Sequence, residues 1–96
     1  MNSFALGSVV VSTQGHDRGQ FYVVVGVSEK GIAVCDGKFK FLKKPKIKNP
    51  SHLELTKYKD DEISAKLSNG LKINDQMIYH AIVKVKKVVK EEDLYG

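Results

Sequence analysis

Residues 7–36 carry their apolar side chains in short dense runs, Val9-Val10-Val11, Phe21-Tyr22-Val23-Val24-Val25 and Ile32-Ala33-Val34-Cys35, each rich in β-branched or aromatic residues. Runs of that kind and length predict three short strands. Turn chemistry separates them, with Gly15, Asp17 and Gly19 in the first connection and Ser28-Glu29-Lys30-Gly31 in the second, so successive antiparallel pairing is expected. The runs are apolar on both faces rather than alternating. In a small closed barrel one face fills the interior while the other can be covered by a helix. Asp36-Gly37 makes a further turn, and Lys38-Phe39-Lys40-Phe41-Leu42 alternates lysine with apolar residues before Pro45 and Pro50 forbid central-strand pairing. This stretch reads as an edge strand passing into an extended basic loop. Leu53 and Leu55, set among polar neighbours, have the period of a half-buried strand that would complete a five-stranded barrel.

The last third changes period. Asp60-Asp61-Glu62 places acids where a helix N-terminus wants them, Ile63 and Leu67 share a face, and Asn69-Gly70 is a stop signal, so a helix of about two turns is expected. Asn74 is a good N-cap for a longer helix, in which Met77, Ile78, Ala81, Ile82, Val85, Val88 and Val89 fall on one arc. Tyr79, His80, Lys86, Lys87 and Lys90 lie opposite, and residues 91–96 read as a frayed tail whose acids suit a helix C-terminus badly. The whole is one mainly β domain, a barrel over about 5–58 with helices over about 60–90. At 96 residues the chain has no room for a second core.

Composition narrows the functional classes. The apolar runs fall far short of the roughly 20 residues that cross a bilayer, and no basic segment followed by an apolar stretch opens the chain; a cytoplasmic protein with no membrane partner is expected. Cys35 is the single cysteine, so it forms no internal disulfide and reads as a buried, inert thiol. His52 and His80 have no sequence neighbours of a metal site, and no metal or cofactor is expected. The P-loop, His-Glu zinc and G-x-S-x-G patterns are missing, and the acids at 60–62 are explained by the helix start, so catalysis is not expected. The net charge of +5 favours a polyanionic partner. Of 16 cationic residues Arg18 is the sole arginine, leaving 15 lysines, a balance suited to diffuse phosphate attraction rather than bidentate base contacts.

Residues 7–27, a glycine- and valine-rich strand leading through Gly15-His16-Asp17-Arg18-Gly19 into Phe21-Tyr22-Val23-Val24-Val25-Gly26-Val27, resemble the KOW motif of ribosomal proteins and transcription elongation factors. Gly15 resembles the motif's hallmark glycine. The stretch from Gly7 to Leu53 is similar to the KOW-bearing large-subunit ribosomal protein family numbered fourteen-e of archaea and eukaryotes. The resemblance covers about the first half of the chain and implies an SH3-like barrel, with the motif in its first two strands, that binds ribosomal RNA without catalysis.

The residues themselves agree with that expectation. Gly15 and Gly19 permit positive φ and close backbone approach to phosphate; His16 and Arg18 can donate to phosphates or bases. Asp17 repels phosphate and reads as a turn cap or a residue that orients Arg18. The second candidate element is the run Lys38, Lys40, Lys43, Lys44, Lys46 and Lys48, with no acid among them. Core filling is the expected use of Phe39 and Phe41, with base stacking as the alternative. RNA, specifically ribosomal RNA, is the expected partner, with ribosomal proteins as further neighbours. The alternative is a protein-interaction module that docks through the barrel or the helix face around Val83. The oligomeric state is open, a monomer being favoured.

Overall fold

The computed structural model describes residues 4–95, with side chains through residue 90. The β-branched runs form β1 (Ser8–Ser12), β2 (Phe21–Ser28) and β3 (Gly31–Cys35); two further strands, β4 (Lys46–Lys48) and β5 (Leu53–Lys59), flank a 3-10 turn at Pro50–His52. All pairings are antiparallel, in the order β4-β3-β2-β1-β5. Helices α1 (Asp61–Ser68) and α2 (Asp75–Tyr95) follow.

Adjacent residues of the apolar runs enter different cores, as a two-sided pattern requires. Val10, Tyr22, Val24, Ile32 and Val34 pack with Phe4 and Leu53 on one face of the sheet. Val9, Val23 and Cys35 pack on the other face against Ile63 of α1 and Ile78, Ala81, Ile82 and Val85 of α2. Val85 and Ile78 lie on the expected helical arc, whereas Val88 from the same arc remains exposed.

The expected closed barrel is not formed, because among the described residues β4 and β5 do not pair. Pro45 and Pro50 lack an N–H and confine β4 to three residues, too short to meet β5. The sheet is nonetheless strongly curled. Five flat strands would place their outer edges about 19 Å apart, yet only residues 49–52 join β4 to β5, three of the four coiled in the 3-10 turn. A side chain reaches across from the β4 edge instead: Lys48 Nζ lies 3.1 Å from Ser12 Oγ of β1, the strand next to β5.

A second correction concerns residues 38–42, which form no strand; the edge strand lies further on, at Lys46–Lys48. The Asp36 carboxylate takes the backbone N–H groups that a ladder would need, and its Oδ1 accepts from Lys38, Phe39 and Lys40 at 2.9, 2.8 and 2.7 Å. Such local capture competes with strand pairing. The helix ends are where the caps place them. Asp60 accepts from Ile63 N–H, Gly70 follows the C-cap Asn69 with φ +71°, and Asn74 accepts from Met77 N–H. Helix α2 differs at its far end: it continues through the acidic run to Tyr95 rather than fraying at residue 91, consistent with the good helix propensity of glutamate. Gly96 lies outside the described residues. Among them no helix is long and apolar enough to cross a membrane.

Candidate nucleic-acid interface

The connection between β1 and β2 folds back on the end of β1. Ser12 N–H donates to the Gln20 carbonyl, Gly19 N–H donates to the Ser12 carbonyl, and Gly15 and Gly19 adopt φ of +96° and +90°. Both glycines therefore serve backbone geometry that L-residues rarely adopt. The N–H groups of Arg18, Gly19 and Gln20 are already bonded within the loop, so close approach of a phosphate to Gly19 would rest on its small volume and not on its N–H. His16 and Arg18 are exposed beside them.

Asp17 turns inward from this loop. Its carboxylate accepts from Tyr22 OH at 2.7 Å, Ser12 Oγ at 2.9 Å, and Lys46 Nζ and Lys48 Nζ at 3.0 Å each. Burial works against the charged form, but the hydrogen bonds from Tyr22, Lys46, Lys48 and Ser12 outweigh it and hold the carboxyl far below the ordinary value of 3.8. For the Tyr22 hydroxyl, burial and the bond to Asp17 act together and push it up. Asp17 is thus the pin between the loop and β4, and does not orient Arg18.

That pin divides the lysine run. Lys48 has 8% of its side chain exposed and also donates to Ser12 Oγ and the Gln14 carbonyl; it is inside the molecule rather than on a contact surface. Lys46 is paired with Asp17 and half-buried. Lys38, Lys40, Lys43 and Lys44 are exposed, and among the described residues no ion pair holds any of them.

Between the free lysines stand two rings that core filling does not claim: Phe39 is 66% exposed and Phe41 42%. They line an open groove of about 850 Å³ with Lys40, Lys43, Lys44, Pro45, Lys46 and Asp75. The loop that carries them is seated on α2. Leu42 N–H donates to Asp75 Oδ1 at 2.8 Å, the Leu42 side chain packs on the helix-side core, and Gly37 at φ +73° lies so close to Asp75 and Tyr79 that a Cβ would strike their backbone. A smaller hollow joins Phe39 and Lys38 to Tyr79, Val83 and Lys86 of α2, bringing one helix lysine to the same side.

The structure therefore joins the 15–19 loop to the 38–48 segment through Asp17, and sorts the ten candidates. Gly15, His16, Arg18, Gly19, Lys38, Lys40, Lys43 and Lys44 stand at the surface, Lys46 at its margin, and Lys48 within. Sequence reasoning missed the exposure of both phenylalanines; the Asp36 that bends their loop was the available signal. Among the described residues no group of His, Cys, Asp and Glu converges as a metal site. Cys35 is buried, and burial first, then Asp75 and Asp36, pushes its thiol up to about 12. No family model matches the chain, and no curated protein sequence does.

Proposed function

We propose that this protein is a non-catalytic, cytoplasmic RNA-binding protein, acting on structured RNA and most specifically ribosomal RNA. One observation carries the reading: four unpaired lysines surround two exposed phenylalanines in a segment tied through Lys46 to Asp17, whose neighbours His16 and Arg18 are exposed. Basic side chains interleaved with aromatic rings offer attraction to phosphate and a face for bases. The strand order, with the last strand beside the first and the outer edges drawn together, suits the SH3-like fold that the KOW resemblance implies, and supports the same reading.

The test is binding of a ribosomal RNA fragment by an Arg18→Ala/Lys43→Ala/Lys44→Ala variant across a salt series. Loss of three phosphate contacts lowers the slope of log affinity against log salt by about 2 to 3 and weakens binding at least tenfold, with an unchanged melting curve. Wild-type affinity in that variant rejects the surface. Pull-down before and after nuclease separates the protein-interaction alternative: a principal partner retained after nuclease supports that alternative instead.

A further inference from the structure

We propose that Phe39 and Phe41 form a stacking platform for unpaired nucleotides, so that the RNA taken by this surface presents a single-stranded loop, bulge or end rather than a continuous duplex. The inference rests on the RNA-binding reading and specifies its ligand.

Isolated exposed apolar side chains are ordinary on protein surfaces. These two differ in how they are held. Asp36 fixes the backbone at residues 38–40 with three hydrogen bonds, Gly37 fits against the first turn of α2, and Leu42 is anchored both by its N–H and by its side chain. Rings on a backbone fixed at both ends lose little freedom when a ligand arrives, which is how a preorganised site gains affinity. A ring with only two side-chain torsions adds little further entropy cost.

Charge decides the occupant. Lys38 Nζ lies 5.2 Å from the Phe39 ring centre, and Lys40, Lys43 and Lys44 share the groove with both rings. A second copy docking here would set its lysines against these. A polyanion relieves the repulsion and a nucleic acid also supplies flat apolar faces. Asp75, the acid among the lining residues, is engaged through Oδ1 by Leu42 N–H. Within a duplex the base faces are covered by their neighbours, so a flanking ring finds none to stack on; unpaired bases can be splayed onto it. Stacking on a ring is also tolerant of sequence, which fits a surface poor in arginine.

Two fluorescein-labelled RNAs test this, a 12-nucleotide single strand and a blunt 12-base-pair duplex, titrated at matched salt. Charge alone favours the duplex, whose phosphate density is higher; the platform predicts at least tenfold tighter binding of the single strand. Phe39→Ala/Phe41→Ala loses roughly tenfold or more on the single strand with an unchanged salt slope and unchanged duplex binding. Phe39→Tyr/Phe41→Tyr keeps both rings and restores the affinity, which separates stacking from a folding defect. A 2-aminopurine in the single strand changes its emission on binding wild type and not the alanine variant. Wild-type binding of the single strand by the alanine variant, or preference for the duplex, overturns the platform while RNA binding stands. Failure of both RNAs to bind overturns the platform together with the reading beneath it.

Discussion

Lys46 and Lys48 belong to the same basic run as Lys40, Lys43 and Lys44, yet the two groups have opposite fates. On β4 the register sets Lys46 opposite Val34 and Lys48 opposite Ile32, so both lysines share the face of residues buried inside the curl while Ile47, between them, points outward and is exposed. Their ammonium groups are satisfied by one carboxylate from a loop 29 and 31 residues away in the chain. A few residues earlier the loop carbonyls and carboxylates are engaged with backbone, and the lysines are left to solvent. An uninterrupted run of like charge is therefore two devices: an internal clamp that draws the open side of the sheet together, and a free surface able to attract an anion. An inward lysine on an edge strand also discourages pairing with another chain.

Breaking the clamp should have the largest effect. Asp17→Ala leaves Lys48 buried without its counter-charge, and the expected loss is about 3 kcal/mol of folding stability by urea denaturation. Asp17→Asn sharpens the assignment through pH. The folded carboxyl titrates below its ordinary 3.8, so the stability contributed by its charge is fully present above that value and disappears as pH falls beneath it. The wild-type advantage over Asp17→Asn should shrink below about pH 4; an advantage constant from pH 7 to pH 2 would show that the charge is not what matters.

Next in size is the seat of the aromatic loop. Gly37→Ala places a Cβ against the backbone of Asp75 and Tyr79 at a φ of +73°, with an expected cost of about 1 to 3 kcal/mol. Because the loop would lift from α2, affinity for RNA should fall with stability, unlike Asp17→Ala, whose first effect is on the fold. The smallest stability effect belongs to Lys43→Ala/Lys44→Ala, within about 0.5 kcal/mol of wild type, since neither side chain has an ionic partner. A melting temperature lowered as far as that of Asp17→Ala would erase the distinction between clamp and surface.

Local chemistry was legible in the sequence. The capping groups Asp60 and Asn74, the stop at Gly70, the dense valine runs and the positive-φ glycines of the first connection all act over a few residues, and each is where the pattern put it. What failed to show depends on partners far along the chain. Nothing near Lys48 announces that Asp17 will bury it, and nothing near Phe39 says that Leu42 will take the core position that the rings leave. The missing β4–β5 pairing has a local cause instead, since Pro45 and Pro50 bracket β4 and hold that edge strand to three residues. For the candidate site, the surface position of four of the six lysines and of the loop at 15–19 was legible, and the division of the lysine run by Asp17 was not.

The pairing of β1 with β5 sets an order of assembly. Ser8 lies opposite Lys59 and Ser12 opposite Leu53, so these contacts close loops of about 40 to 50 residues, whereas β1–β2 and β2–β3 are joined by short turns. Local hairpins can form while the chain is still emerging during synthesis, but long-range pairing is entropically late. The 15–19 loop rests on local contacts, whereas its pin needs Lys46 and Lys48 from further along the chain. A nascent chain ending before residue 46 would carry the glycine loop without the clamp that docks it, and so would lack the composite surface until the second half of the protein has arrived.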